Sequence, residues 1–85
     1  MPRYGKVSEG NSHKQTQVFN IPFDEEEGFS VVAMTGNSKE VRVRRDEKGY
    51  YYVVFNPGGQ LPKALNQKFT GYEQALAAVT RYYAN

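Results

Sequence analysis

The stretch Val41–Phe55, VRVRRDEKGYYYVVF, constrains this chain more than any other. Two alternating runs flank Asp46-Glu47-Lys48-Gly49. That tetrad fits a type I turn with Asp first and Gly fourth, the glycine able to take positive φ as a bulge residue. The three-residue loop so formed sets Arg44 opposite Tyr52, Val43 opposite Val53 and Val41 opposite Phe55. Side chains alternate along a strand, so Val41, Val43, Tyr51, Val53 and Phe55 share one face. Arg42, Arg44, Tyr50, Tyr52 and Val54 share the other. A loop of two or four residues would shift the pairing by one and scramble both faces. The apolar consistency of the first row favours three.

The rest of the chain is read against that hairpin. Phe19, Ile21 and Phe23 alternate within Gln17–Phe23 and predict a short edge strand, where the N–H missing at Pro22 costs no ladder bond. Asp24–Glu27 is a purely acidic loop ending at Gly28. Phe29–Thr35 predicts a further strand, closed by Gly36-Asn37-Ser38. Its parity is ambiguous; a three-residue loop would set Phe29, Val31 and Ala33 against the apolar row of the next strand, and we adopt that reading. Pro57–Gln60 is a turn, and Leu61–Lys68 an irregular or extended return through Pro62. Those glycines lack the pattern of a phosphate loop.

The last segment is helical by its spacing. Thr70 and Glu73 stand at capping-box separation, and Tyr72, Ala75, Leu76, Val79, Tyr82 and Tyr83 then recur at helical intervals. Their stripe must pack on something, and the apolar sheet face is the candidate. Tyr51, Val53, Phe55, Leu76 and Val79 are the expected core. The fold class is therefore α+β: an antiparallel β-meander of three to four strands packed on one C-terminal α-helix, with the other sheet face open. Residues 1–15 are polar and read as a flexible N-terminal arm, and residues 16–85 as one domain.

Composition narrows what such a domain can do. Eighty-five residues leave room for a single core, and cysteine is absent, so neither a disulfide nor a thiolate metal site can staple it. Aromatic residues, 14% of the chain, must supply the packing bulk. No apolar run reaches the length of a membrane span and no leader pattern is seen, so a soluble cytoplasmic protein is expected. The net charge is only +2, but residues 39–48 hold five basic and three acidic side chains. Arg3, Lys6 and Lys14 of the arm could touch a polyanion, although a solvated tail is the plainer reading.

At this point a resemblance can be stated. VRVRRDEKGYYYVVF, a loop, and then FTGYEQALAAVTRYY is similar in plan to plant AP2-type domains and to the arm-binding domains of phage and transposon integrases. The matching pieces are Arg42, Arg44 and Arg45 before the turn, the aromatics after Gly49, and Phe69-Thr70 with Glu73 and Ala75. The resemblance covers about half the chain. It implies a three-stranded sheet backed by one helix, inserted into the DNA major groove, with contacts from Arg42, Arg44, Tyr50 and Tyr52. Tryptophans common on such strands are missing here, the 56–68 segment is longer, and the acidic loop has no counterpart.

Two binding functions follow. In the first, Arg42, Arg44, Tyr50 and Tyr52 bind nucleic acid, Arg through bidentate bonds and Tyr through stacking, with Lys39, Arg45 and Lys48 on flanking phosphates. In the second, the same open face, with Val32, Met34 and Val54 adding apolar area, docks on a protein. The chain would then be a phage-type accessory or inhibitor protein, or one that assembles with its own copies, or a component of a larger assembly such as a virion. Solvated Arg–Tyr packing is the plain alternative for those side chains. An enzyme is not expected: His13 stands alone in the arm, and the acidic residues lack a partner that would perturb them. No cofactor is implied, and Asp24–Glu27 lacks the spacing of a calcium loop.

Overall fold

The computed structural model describes residues 16–84; the arm read at residues 1–15, with Arg3, Lys6, His13 and Lys14, lies outside them. Five strands form one antiparallel sheet in chain order: β1 (Gln17–Val18), β2 (Phe29–Met34), β3 (Glu40–Arg45), β4 (Tyr51–Asn56) and β5 (Lys68–Phe69). One helix, α1 (Tyr72–Ala84), follows. The class is α+β as expected, but the strand count is five rather than three to four. The extra strand is the end of the return through Pro62, where Lys68 and Phe69 pair with Tyr52 and Tyr51. At the other edge only Gln17–Val18 of the predicted Gln17–Phe23 strand pairs, opposite Met34 and Ala33.

The central hairpin has the register its turn dictates. Val41 faces Phe55, Val43 faces Val53 and Arg44 faces Tyr52. Asp46 and Tyr50 close the three-residue loop by a backbone bond of 2.8 Å, and Gly49 adopts φ +92°. The Asp46 carboxylate accepts the N–H of Lys48 and of Tyr50, both at 2.9 Å. The preceding turn repeats the design: the Thr35 N–H donates to the Lys39 carbonyl at 2.9 Å, and Ser38 takes the glycine's place at φ +64°.

The three-residue loop before β3 is therefore as expected, but the facing of β2 is not. Ala33 pairs with Val41 and Val31 with Arg42, leaving Val32 as an extra residue in a β-bulge. The bulge reverses the parity of everything upstream of it. Phe29 and Val31 lie opposite Arg44 and Arg42, away from the apolar row, while Ser30 lies opposite Val43 and is buried. Val32, assigned above to the open face, is completely buried.

Val32, Ala33, Val41, Val43 and Val53 meet Ala75, Leu76 and Val79 of α1 in the core, and Leu65 joins them. Burying each large side chain contributes on the order of 1.5–3 kcal/mol, so this one interface can hold a domain of such size. Leu65 enters through a turn in which its N–H donates to the Pro62 carbonyl at 3.0 Å. The expected capping box is not formed. The Gly71 carbonyl accepts the first helical bond, from Ala75, and the Thr70 hydroxyl donates to the Gln74 side chain instead.

Segment 19–28 is fastened beneath one end of the sheet. The Ser30 hydroxyl donates to the Pro22 carbonyl at 3.2 Å and accepts from the Asp24 N–H at 2.8 Å. Phe23 makes edge contacts with Tyr51 and Tyr72, and the Tyr72 hydroxyl donates to the Ile21 carbonyl at 2.5 Å.

Candidate functional site: the open sheet face

Register alone places the side chains of the face opposite α1. At one end, Phe29, Arg44, Tyr52 and Lys68 are successive partners across β2 to β5 and form a row. Val31, Arg42 and Val54 form the next row, and Met34, Glu40 and Asn56 the last. Tyr50, just before β4, is 43% exposed on the same parity, where it shares a groove with Lys48 and Lys68. Arg42, Arg44, Tyr50 and Tyr52 are thus brought to one side, as the hairpin register requires.

The flanking cations are divided. Lys39 and Arg45 have the parity of the helix-side row. Lys39 stands 5.6 Å from the Phe55 ring, and the Arg45 guanidinium sits 5.0 Å from the Phe23 ring. Arg45 also pairs with Glu25 at 2.5 Å, and that bond, followed by the Tyr51 hydroxyl, raises its pKa. Lys48 lies in the exposed turn. Sequence reasoning missed Phe29, Val31 and Lys68 on the open face. Phe29 and Val31 carry no local signal, because their facing depends on the bulge. Lys68 could have been found from its alternation with Phe69, which packs against the core.

Charge on the face is largely compensated. Arg42 binds Glu40 through Nε at 2.8 Å and Nη2 at 2.7 Å, and its guanidinium lies 4.4 Å from the Phe29 ring. Asn56 donates to the same Glu40 oxygen at 3.3 Å. Lys68 binds Asp46 at 2.7 Å and stands 4.8 Å from the Tyr52 ring. The Lys68 bond, helped by the N–H groups of Tyr50 and Lys48, holds the Asp46 carboxyl below its usual range against a desolvation that opposes it. Arg44 has no hydrogen-bond or ion-pair partner among the described residues.

The wider charge balance bears on the same question. The chain has eleven Lys and Arg against nine Asp and Glu, and Arg3, Lys6, Lys14 and Glu9 precede residue 16. Residues 16–84 therefore hold eight of each sign and are neutral.

Among the described residues no group of three or more His, Asp or Glu is placed to hold a metal ion. No helix there is long and apolar enough to cross a membrane. Comparison with protein-family models, with curated proteins and with solved structures finds no match.

Proposed function

We propose that this chain is a small non-enzymatic binding module whose open sheet face docks on a protein surface. The observation that carries the reading is the composition of that face. Phe29, Val31, Met34 and Val54 are interleaved there with Arg42, Arg44 and Tyr52. Aromatic residues, Met and Arg are the types enriched at protein interfaces, and Tyr and Arg are frequent among their energetic anchors. Arg42 is already held by Glu40 and Phe29, so little ordering entropy remains to be lost when it is covered.

Nucleic acid is the second reading. Arg44, without a partner among the described residues and beside Tyr52 in the end row, supports it, as does the resemblance to sheet-inserting DNA-binding domains. The neutrality of residues 16–84 weighs against it, because phosphate binding draws its affinity from excess positive charge.

One pair of experiments separates the two. Val31 is half-buried in the middle row of the face, and Val31→Glu puts a charge there. Protein partners captured by the immobilised wild-type chain should be lost to this variant while circular dichroism stays unchanged. Partners retained equally by both proteins would refute the docking reading. A mobility shift with single- and double-stranded DNA at low salt, abolished by replacing Arg42 and Arg44 with alanine, would put nucleic acid first instead.

A further inference from the structure

We propose that the outer edge of β2 at Phe29–Val31 receives an extended segment of a partner protein as an added antiparallel strand. This site works through main-chain groups rather than the side chains of the open face. The turn after β3 sets the phase of the ladders. The Asp46 N–H donates to the Tyr50 carbonyl, and antiparallel bonds recur at every second pair, so Arg44–Tyr52 and Arg42–Val54 are bonded pairs. Val43, between them, turns its N–H and C=O the other way, to Ser30. Phe29 and Val31 flank Ser30 and therefore aim theirs outward, off the sheet.

Among the described residues nothing meets those two N–H and two C=O groups. β1 pairs only with Met34 and Ala33, and one further bond runs from the Phe19 N–H to the Val32 carbonyl at 2.7 Å. The chain then leaves the edge. The Tyr72 hydroxyl holds the Ile21 carbonyl and the Ser30 hydroxyl holds the Pro22 carbonyl, both on the helix side of the sheet. A groove of about 430 Å³ runs between this pinned segment and the edge. Phe29 and Val31 are only half-buried beside it. Unpaired groups on a strand edge are a template for another strand, and such addition draws its affinity from main-chain bonds.

Register and charge define the segment. Residues set opposite Phe29 and Val31 share their side of the sheet, the open face, and are apolar. The residue between them, opposite Ser30, points to the side where the Asp24 N–H bonds the Ser30 hydroxyl. Asp24 and Glu27 line the groove, and no Lys or Arg does. Arg42 and Arg45 are held by Glu40 and Glu25, and Arg44 stands one strand further in, beyond Phe29. The central residue is therefore basic, and the segment reads apolar–basic–apolar. Proline is excluded from its outer two positions, which must donate an N–H.

Nuclear magnetic resonance of the full chain with the end-blocked peptide threonine–valine–lysine–valine–threonine tests the proposal. In the free chain the Phe29 and Val31 amide protons should exchange on the order of tenfold faster, or more, than that of Val43. Millimolar peptide should shift both signals and slow their exchange. Methylating the two valine nitrogens of the peptide removes its donors and should weaken binding on the order of tenfold. Exchanging its lysine for glutamate should weaken binding as well. Val31→Pro deletes an outward N–H and no ladder bond, so it should also lose affinity; if that variant unfolds, the methylated peptide still decides. Absence of binding, equal binding after methylation, or amides already protected in the free chain overturns the proposal. Protection that grows with the concentration of the chain alone would give the edge to a second copy, and overturns it too.

Discussion

Ser38 and Gly49 hold equivalent places in consecutive turns, at φ +64° and +92°. Only glycine occupies that region without a Cβ penalty, which is about 1–2 kcal/mol for other residues. A Cβ added at Gly49 would meet nothing within 4 Å, so the cost there is one of backbone alone. Gly49→Ala should destabilise the domain by about 1–2 kcal/mol. Ser38→Gly should stabilise it by less, on the order of 0.5–1 kcal/mol, because glycine also gains freedom in the unfolded chain. Urea midpoints for the two variants check both signs. Residues of this kind were legible: Asp46 and Gly49 fixed the loop length, and through it the facing of Arg42, Arg44 and Tyr52. Val32 was not. A bulge of this sort needs no glycine and no special φ, so an apolar run such as Phe29–Met34 reads equally well in either parity.

At the scale of elements, Asp46 ties the β3–β4 turn to β5 through Lys68. Its pKa is depressed on folding, so its contribution is present above the ordinary carboxylate value, about 3.9, and is lost as pH falls through the lower folded value. Unfolding followed from pH 6 downward should show stability falling in that acid window, and Asp46→Asn should flatten this part of the profile. An unchanged profile in the variant would assign the acid sensitivity elsewhere. The helix stripe was read from periodicity, yet its cap was misplaced by one residue. Thr70 can bond either the backbone or a neighbouring side chain, and spacing alone does not choose between them. The 61–67 segment was read only as a return, because its anchor, Leu65, stands in a turn without any period to betray it.

For the molecule as a whole, the buried core and the proposed binding face lie on opposite sides of one sheet. Leu65 is completely buried, and Leu65→Ala should cost about 2–5 kcal/mol. At 4–8 °C per kcal/mol for a domain of this size, the fall in Tm should be large. Arg44→Ala, on the exposed face, should stay within about 0.5 kcal/mol of wild type. Thermal unfolding of the pair measures the separation. Equal losses would mean that the open face is part of the folding core, leaving little of it available to a partner.

The outermost strands, β1 and β5, each run for only two residues. Another molecule looking for unsatisfied amide groups on either outermost strand finds a ladder of only two residues to extend, and short edge strands are one way natural sheets resist endless stacking. Growth into ribbons or fibrils through those outermost strands is thereby discouraged.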